Sequence, residues 1–494
     1  MANSPPTLPS GRAGPRPGRL GYPGPAGGRM SWVQAPIEYR GTSVQVCGLW
    51  PFGTGSATPN IGAPLGRHRS TLATVCFDPI SWYERAKLIN NPSVWVQGEP
   101  GMGKSTAVRR MVLSLAAQGV TPMILGDLKP DYADLVAALG GTVLRVGPGL
   151  HRLNPLDVGP WRTVLARVGD GQEAEKLRAE VVDRRLNAAA VLLTLVRGGP
   201  LESGELTVLT AALRYLVEQE TDTQPLLSDV LRVIEDAPPA VRWVTLWYAE
   251  ADLPRYRHET ENLRRVLRAL IHGPLGPTVE GHTTAPIELN TPALCVDISG
   301  ISETNHQLTA ATLVTTWAAG FGQVEAAHRL SDLGLAPPRT FFLVLDEMWR
   351  ALRVGHGMVD RVDGITRLNR DKGTGTAFLT HSLADLEALP NVEDRAKARG
   401  FADRCAVLMI GACSEQELDA VARVRPLSQT ERTEVLSWAA PPSWSTSPGG
   451  EEVLVGRGNF LIKVGNRPGI PVHLEPTDTE KALGNTDARW KRAA

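Results

Sequence analysis

A glycine-rich run that ends in lysine and serine is the feature of this sequence with the clearest chemistry. It fits the pattern G-x-x-x-x-G-K-[ST] at every fixed position, from Gly98 to Ser105. Glycines let successive backbone N–H groups turn inward around phosphate oxygens, while Lys104 reaches the β- and γ-phosphates and the Ser105 hydroxyl completes a Mg²⁺ shell. We therefore predict that ATP and Mg²⁺ bind here. The predicted contacts are Gly98, Glu99, Pro100, Gly101, Met102, Gly103, Lys104, Ser105 and Thr106.

The elements around this run argue against its alternative, a chance glycine-rich turn. The β-rich segment Ser93 to Gln97 precedes it. The segment after it, Lys104 to Gln118, places Val108, Met111, Val112 and Leu115 on one helical face. A strand, a loop and a helix in this order aim the positive end of the helix at the bound phosphates.

Two adjacent carboxylates follow a second apolar strand far downstream. The run Phe341 to Leu345 is continuously apolar, as expected of a strand buried on both faces, and it ends in Asp346-Glu347. Ligands of open α/β sheets bind at the carboxyl ends of parallel strands. We predict that Asp346 holds Mg²⁺ and that Glu347 takes a proton from the attacking water. The alternative is a helix N-terminus that carries acidic residues.

A histidine ends the next predicted strand. In P-loop ATPases with an added strand beside the phosphate loop, a polar residue at this point contacts the γ-phosphate and its water. His381 would do so as a neutral donor. The alternative is a helix N-cap at Thr380 or Ser382 with an idle histidine. Both roles are compatible if Ser382 caps the helix while His381 faces the nucleotide.

Two arginines precede that strand on an amphipathic segment, Met358 to Asp371. Most arginines on such a helix are solvated. In ring ATPases one such residue reaches the γ-phosphate of the neighbouring subunit and stabilises the transition state. Arg370 is the stronger candidate for that role and Arg367 the weaker one.

These residues lie on elements that predict an α/β fold. The order strand, helix, strand, helix, strand between about 93 and 145 implies a parallel sheet with right-handed crossovers. From about 160 the apolar residues recur at helical spacing with no alternation. We predict a RecA-like P-loop NTPase with a mainly parallel sheet and an inserted all-helical subdomain. The predicted segments are a disordered Pro/Gly-rich tail (1–40), a small strand-containing lead-in (41–90), the first part of the ATPase core (91–159), the helical insertion (160–285), the second part of the core (286–440), and a C-terminal hairpin and tail (441–494).

Composition limits the class of protein. The chain has 494 residues with 52 Lys+Arg and 52 Asp+Glu, so its formal net charge is zero. This balance argues against a surface coated in basic charge and leaves a local basic stripe for nucleic acid open. The five cysteines form no CxxC pair, which favours reduced thiols over a metal or disulfide framework. No apolar run approaches the roughly 20 residues of a membrane helix. We expect a cytoplasmic protein, with attachment to the inner face of the cell membrane made only through partners.

Several local runs resemble the conjugation ATPases of type IV secretion, which are TraC-like, VirB-type motors in the HerA/FtsK group of DNA pumps. One is Asp127-Leu128-Lys129-Pro130-Asp131-Tyr132, followed by Gly140-Gly141 and Leu153-Asn154-Pro155-Leu156-Asp157. Another is Leu345-Asp346-Glu347-Met348-Trp349, similar to the acidic motif LDE-x-W of that family. The runs Cys47-Gly48-Leu49-Trp50-Pro51-Phe52 and Gly465-Asn466-Arg467-Pro468-Gly469 look like actinobacterial members. The resemblance covers about residues 41 to 490.

The resemblance implies properties that the residues alone do not. These are a hexameric ring, secretion-channel or coupling proteins as partners, and contact with DNA. Two positions depart from the family: His381 stands where Gln is usual, and Arg370-Asp371 stands where an Arg-Lys pair is usual. Because the resemblance begins at about residue 41, we expect this chain to be without the large N-terminal domain of many relatives.

Three other functions compete with a secretion motor. A HerA/FtsK-like DNA translocase would have the same site without a secretion partner. A small-molecule kinase would need a lid with phosphate-clamping arginines and is usually a much shorter chain. A non-motor platform would bind ATP only to hold its shape, which the intact Lys104, Asp346 and Glu347 disfavour. An ABC-type transporter is disfavoured because no LSGGQ-like signature is present.

Overall fold

The computed structural model describes most of the chain from residue 59 onward. The described residues are 59–219, 223–244, 253–285, 287, 290–302, 304–347, 349–354, 359, 373–387, 392–440 and 456–483. The predicted disordered tail and the beginning of the lead-in, which includes Cys47, lie outside them. So does the segment with Arg367 and Arg370.

Eleven strands of the described part form one sheet, in the order β2-β1-β11-β10-β9-β3-β8-β7-β4-β6-β5. Seven neighbours, from β9 to β5, run parallel, as predicted. The strands are β1 (Pro64–His68), β2 (Thr74–Cys76), β3 (Ser93–Gln97), β4 (Thr121–Asp127), β5 (Thr142–Arg145), β6 (Leu294–Asp297), β7 (Phe341–Asp346), β8 (Thr374–Thr380), β9 (Val407–Ile410), β10 (Asn459–Val464) and β11 (Ile470–His473).

Helices cover both faces of this sheet. The helices of the described residues, in chain order, are α1 (Pro79–Glu84), α2 (Lys104–Ala117), α3 (Ala133–Ala138), α4 (Trp161–Val168), α5 (Gln172–Arg197), α6 (Ser203–Gln219), α7 (Leu227–Asp236), α8 (Pro239–Arg242), α9 (Leu253–Glu259), α10 (Glu261–His272), α11 (Gly276–Val279), α12 (His306–Asp332), α13 (Trp349–Val354), α14 (Ala384–Glu387), α15 (Val392–Arg404), α16 (Glu415–Val424), α17 (Gln429–Trp438) and α18 (Asp478–Leu483). The described residues between 161 and 279 contain helices and no strand, in line with the predicted helical insertion. No helix in the described ranges has both the length and the apolar character that a membrane crossing requires.

The sheet is buried on both faces, which explains its continuously apolar strands. Along β3, Trp95 packs into one hydrophobic cluster with residues of the helical insertion. Its neighbours Val94 and Val96 pack into a second cluster on the other face, together with Val108 and Met111 of α2. Alternate residues of one strand therefore serve two cores, because successive side chains point to opposite faces.

The order of the central strands brings the predicted site together. β8 lies between β3, which carries the glycine-rich loop, and β7, which carries the acidic pair. In this register Gln97 pairs with Thr380 and Asp346 pairs with Leu379. The carboxyl ends of the three strands therefore meet at one edge of the sheet.

The two ends of the described chain join the sheet, an arrangement that the sequence did not indicate. The lead-in strand β1 pairs antiparallel with β11 of the C-terminal hairpin. The other hairpin strand, β10, pairs antiparallel with β9 beside β3. The lead-in and the hairpin therefore extend the core sheet, although we predicted them from the sequence as separate segments.

Candidate nucleotide site

The glycine-rich loop has the backbone shape of a phosphate cradle. Gly103 adopts φ +94° directly before α2 and makes no side-chain cap, so the first N–H groups of α2 remain available to a phosphate. Gly98, at φ +151°, lies where an added Cβ would come within 3.1 Å of Gly411 Cα. A side chain at either position would therefore strain the loop, which explains the glycines in the pattern.

Neighbouring segments fix the loop from two sides. The Glu99 N–H donates to the carbonyl oxygen of Ala412, just after β9, at 2.8 Å. The Gly458 N–H, just before β10, donates to the carbonyl oxygen of Met102 at 3.0 Å. The loop is therefore held in place by its own strand and helix, by the β9 loop and by the C-terminal hairpin.

Lys104 lies at the centre of the site and is largely buried. Its Nζ donates to the carbonyl oxygens of Gly98 at 2.6 Å and Glu99 at 3.1 Å, and to Nδ1 of His381 at 2.9 Å. Burial lowers the pKa of Lys104 to about 8, although the nearby carboxylate of Asp346 partly opposes that shift. The ammonium form still predominates at neutral pH.

The two carboxylates at the end of β7 have different environments. Desolvation, together with repulsion from neighbouring carboxylates such as Glu347, raises the pKa of Asp346 to about 7. Burial would also raise the pKa of Glu347, but hydrogen bonds from His381 and Trp349 lower it below its ordinary value. Glu347 is therefore the stronger candidate for an ionised base, while Asp346 lies where a cation would relieve repulsion between carboxylates.

Glu347 is held in a constrained position. It is only 5% exposed and its backbone adopts φ +50°, a conformation that non-glycine residues rarely take. Nε2 of His381 lies 2.7 Å from Oε1, and Nε1 of Trp349 donates to Oε2. Strained backbone of this kind concentrates at functional sites, where packing and hydrogen bonds maintain it.

His381 connects the lysine to the glutamate. A lysine ammonium can only donate, so Nδ1 of His381 accepts from Lys104 and Nε2 carries the proton that reaches Glu347. The adjacent Ser382 accepts a hydrogen bond at Oγ from the Ala384 N–H, at the start of α14. The structure thus places Ser382 at the helix end and turns His381 toward the predicted nucleotide site.

Asp127 has a role that the sequence left unassigned. Its Oδ1 accepts from the Asp131 N–H at 3.0 Å and its Oδ2 from the Tyr132 N–H at 2.9 Å. These two bonds fix the backbone conformation of the turn between β4 and α3, which the intrinsic preferences of its residues alone would not determine. In the sequence, the available signal for this role was an aspartate that precedes a proline and a second acid, in the run Asp127-Leu128-Lys129-Pro130-Asp131.

The turn brings two more oxygen groups next to Ser105. Burial raises the pKa of Asp131, an effect that a hydrogen bond from the Ser105 hydroxyl and the positive charge of Arg109 oppose. The Tyr132 hydroxyl is completely buried. It lies within hydrogen-bonding reach of the Ser105 hydroxyl, and Oδ1 of Asp131 accepts no hydrogen bond from the described residues. Hard oxygen groups with unused bonding capacity fit Mg²⁺ and its waters. Ser105 and Asp346 would hold the ion.

The arginines that follow the loop have other partners. Arg110 donates to the carboxylate of Glu480 and to the carbonyl oxygens of Leu65 and Glu475, both at 2.8 Å. It therefore connects α2 with α18, with β1 and with the segment that follows β11. Arg367 and Arg370 lie outside the described residues, so the structure does not place either one.

Solved structures share this fold at low sequence identity. VirB4 of Thermoanaerobacter pseudethanolicus matches with a TM-score of 0.63 and 16% identity, over 86% of this chain and 100% of that chain. The plasmid coupling protein TrwB, solved with the non-hydrolysable ATP analogue ADPNP, matches with a TM-score of 0.47 and 14% identity, over 78% of this chain and 86% of that chain. No known family profile and no curated protein matches the sequence. The likeness to VirB4 confirms the predicted fold class.

Proposed function

We propose that this chain hydrolyses ATP with Mg²⁺ and that the hydrolysis powers a type IV secretion or conjugation system. One observation supports hydrolysis above all others. Lys104, His381 and Glu347 come from three separate elements and form a continuous hydrogen-bonded row beside the phosphate loop. The secretion role is supported by the resemblance of the local sequence runs and by the fold shared with VirB4.

The binding step uses the loop and Lys104. The N–H groups of the loop and of the first turn of α2 surround the phosphates, and Lys104 balances the charge of the β- and γ-phosphates. Mg²⁺, when bound, neutralises charge on the oxygens of these two groups. Ser105 and Asp346 are the residues that would hold it.

The chemical step uses Glu347. Its carboxylate accepts a proton from a water molecule as the oxygen of that water bonds to the γ-phosphorus. The bond between that phosphorus and the bridging oxygen breaks, and the oxygen leaves with its electron pair as part of ADP. His381 and Trp349 keep the base ionised by donating hydrogen bonds to it.

We also propose that the active form is a homo-oligomeric ring, with six subunits as the resemblance implies, and that Arg370 acts across the subunit boundary. The arginines nearest to the loop support this proposal because Arg110 is engaged with Glu480 and Arg109 is a buried side chain that interacts electrostatically with Asp131. An arginine supplied by a neighbour is typically worth about 10³–10⁵ in rate. The chain would work on the cytoplasmic side, with channel or coupling proteins and DNA as its partners.

ATPase assays on the purified protein test the enzymatic part. We expect free phosphate and ADP from the wild type, with and without DNA, and no turnover and weaker nucleotide binding from Lys104→Ala. Lys176→Ala is the matched control because Lys176 is an exposed residue of α5 whose partner is a surface glutamate. Normal turnover by a folded Lys104→Ala protein would remove the site assignment. Phosphate that appears on an acceptor molecule would indicate a kinase, and binding without turnover a platform.

Transfer assays test the secretion part. We expect a host that carries the complete conjugation system to lose DNA transfer when its wild-type gene is replaced by the Glu347→Gln variant. Unchanged transfer, together with DNA-stimulated ATPase activity, would support a DNA translocase unconnected with secretion.

A further inference from the structure

Glu417 is a buried carboxylate near the nucleotide site that the mechanism above does not use. It lies in the first turn of α16 and is 8% exposed. Its Oε1 accepts from the Leu383 N–H at 2.6 Å and from Nε2 of Gln97 at 3.2 Å, and its Oε2 accepts from the Ser382 hydroxyl at 2.5 Å. A buried carboxylate is costly unless several donors satisfy it, and here three uncharged donors do so.

These three donors come from the two strand ends that flank the site. Gln97 is the last residue of β3 and directly precedes Gly98 of the phosphate loop. Ser382 and Leu383 directly follow His381 at the end of β8. One carboxylate therefore connects the beginning of the phosphate loop with the backbone that carries His381.

The segment that carries Glu417 is itself attached to the phosphate loop. The Gly411 N–H donates to the carbonyl oxygen of Gln97 at 2.7 Å, and the Glu99 N–H donates to Ala412 at 2.8 Å. Ser414 caps α16 and accepts a bond from the Glu417 N–H. The position of the carboxylate relative to the loop is thus set by backbone hydrogen bonds.

Each hydrogen bond around Glu417 has only one possible direction from donor to acceptor. An ionised carboxylate only accepts, so the amide nitrogen of Gln97 must face Glu417 and its oxygen must face Nε1 of Trp95, at 2.9 Å. Likewise the Ser382 hydroxyl donates to Glu417 and keeps a lone pair for the Ala384 N–H. A glutamine at position 417 could keep its oxygen at the Leu383 N–H and the Gln97 amide and would place its NH₂ group at the Ser382 hydroxyl, which would have to rotate and accept, whereas alanine removes both acceptors.

We propose that Glu417 is a positioning residue for ATP hydrolysis, which holds the end of β8 so that His381 reaches Lys104 and Glu347 together. The proposal rests on the proposed function. A small displacement of a reacting group, on the order of 1 Å, costs about 100-fold in rate. Substitution of Glu417 should therefore reduce kcat while it leaves nucleotide affinity nearly unchanged, because Lys104 keeps its loop contacts.

A double-mutant cycle tests this proposal. We expect Glu417→Ala to lower kcat by about 10- to 100-fold, with less than about a threefold change in the nucleotide Kd. Glu417→Gln should lower kcat less, because the glutamine oxygen can still accept from the Leu383 N–H. In a His381→Ala background the same substitutions should have little further effect, because the group that they displace is absent. Losses that multiply in the double variant, or wild-type kcat in Glu417→Ala, would overturn the proposal. Ser428→Ala is the control, since it removes the same kind of N-cap bond from α17, which carries none of these site residues, and should lower the melting temperature with kcat intact.

A second measurement does not depend on turnover. The imidazole ¹⁵N signals of His381 can be assigned among the 10 histidines by their loss in His381→Ala. We expect Glu417→Ala to shift or broaden these signals in the nucleotide-free protein, whereas Ser428→Ala leaves them in place. Signals that do not move in Glu417→Ala would overturn the positioning role, whatever the ATP turnover of the wild type. An inactive wild type in which Glu417→Ala moves the signals would instead contradict the proposed function alone.

Discussion

Replacing His381 by alanine removes one of the two hydrogen bonds to the candidate base. In the structure Nε2 of His381 lies 2.7 Å from Oε1 of Glu347, and Glu347 is only 5% exposed. The His381 side chain is 28% exposed, so water can enter the space that it leaves, but such a water is not held in position as the ring is, and Trp349 remains as a fixed partner of the carboxylate. The base then loses both its fixed orientation and part of the stabilisation of its charged form.

The size of the effect follows from this bond. A hydrogen bond to a charged group contributes about 1.5–3 kcal/mol, and about 1.4 kcal/mol changes a rate tenfold, so we expect kcat to fall by about 10- to 150-fold. Affinity for ATP should change little, since Lys104 keeps the carbonyl oxygens of Gly98 and Glu99 as partners. The variant should therefore separate kcat from binding.

Steady-state ATPase assays and titration with a fluorescent nucleotide measure the two quantities on the same preparation. His381→Gln is the matched variant, because a glutamine amide can both donate to Glu347 and accept from Lys104, and it should keep activity. A His381→Ala protein with wild-type kcat would refute the reasoning and leave only the capping role of the neighbouring Ser382. A loss of affinity as large as the loss of kcat would refute it too, because the residue would then serve binding.

Three further predictions concern the base, the ring and the C-terminal helix. Glu347→Gln should bind ATP normally but hydrolyse it about 10²–10⁴ times more slowly; lost binding with normal saturated turnover would reverse the roles of this residue and Asp346. Wild-type ATPase activity should rise faster than linearly with protein concentration. The activity of Arg370→Ala should be restored in part by mixing it with Glu347→Gln. Activity strictly proportional to concentration, from a protein that stays monomeric with ATP, would contradict the ring. Burial alone would raise the pKa of Glu480, but the Arg110 guanidinium lowers it to about 2. The ionised carboxylate therefore stabilises the fold fully above about pH 4.5, and this stabilisation is lost as the pH falls toward 2. Urea unfolding should show that Glu480→Gln is less stable than the wild type at pH 7 and that the difference in the free energy of unfolding shrinks in acid. A difference that does not change with pH would contradict this prediction.

The phosphate loop and its flanking elements follow from the sequence alone, because consecutive residues form them. The cradle needs glycines and a lysine at fixed spacing, and the periodicity of Val108, Met111 and Leu115 predicts the helix after it. The same holds for β7, whose apolar residues Phe341 to Leu345 end at the acidic pair, and for the helices between 161 and 279. Each is a local pattern, so one sequence is sufficient to predict it.

The sequence also predicts which residue types gather at the site, but it does not specify their mutual geometry. That His381 accepts from Lys104 while it donates to Glu347 depends on β8 lying between β3 and β7. In the sequence, Asp127 stood out only as part of a run that resembles the conjugation ATPases. Its hydrogen bonds from two backbone N–H groups are seen only in the folded turn that they stabilise. Strand order sets these contacts, and no local period records strand order.

Only the tertiary structure decided how the site is supported. Gln97 and Glu417 are 320 positions apart in the chain, yet they share a hydrogen bond at 3.2 Å. Gly458, beside the C-terminal hairpin, contacts the phosphate loop at Met102, although the hairpin looks like a separate segment in the sequence. A buried polar residue has no periodic signature, and its partner is set by how distant strands and helices pack together. The sequence was therefore sufficient to predict which residues form the site, whereas the contacts that orient these residues depend on the tertiary structure.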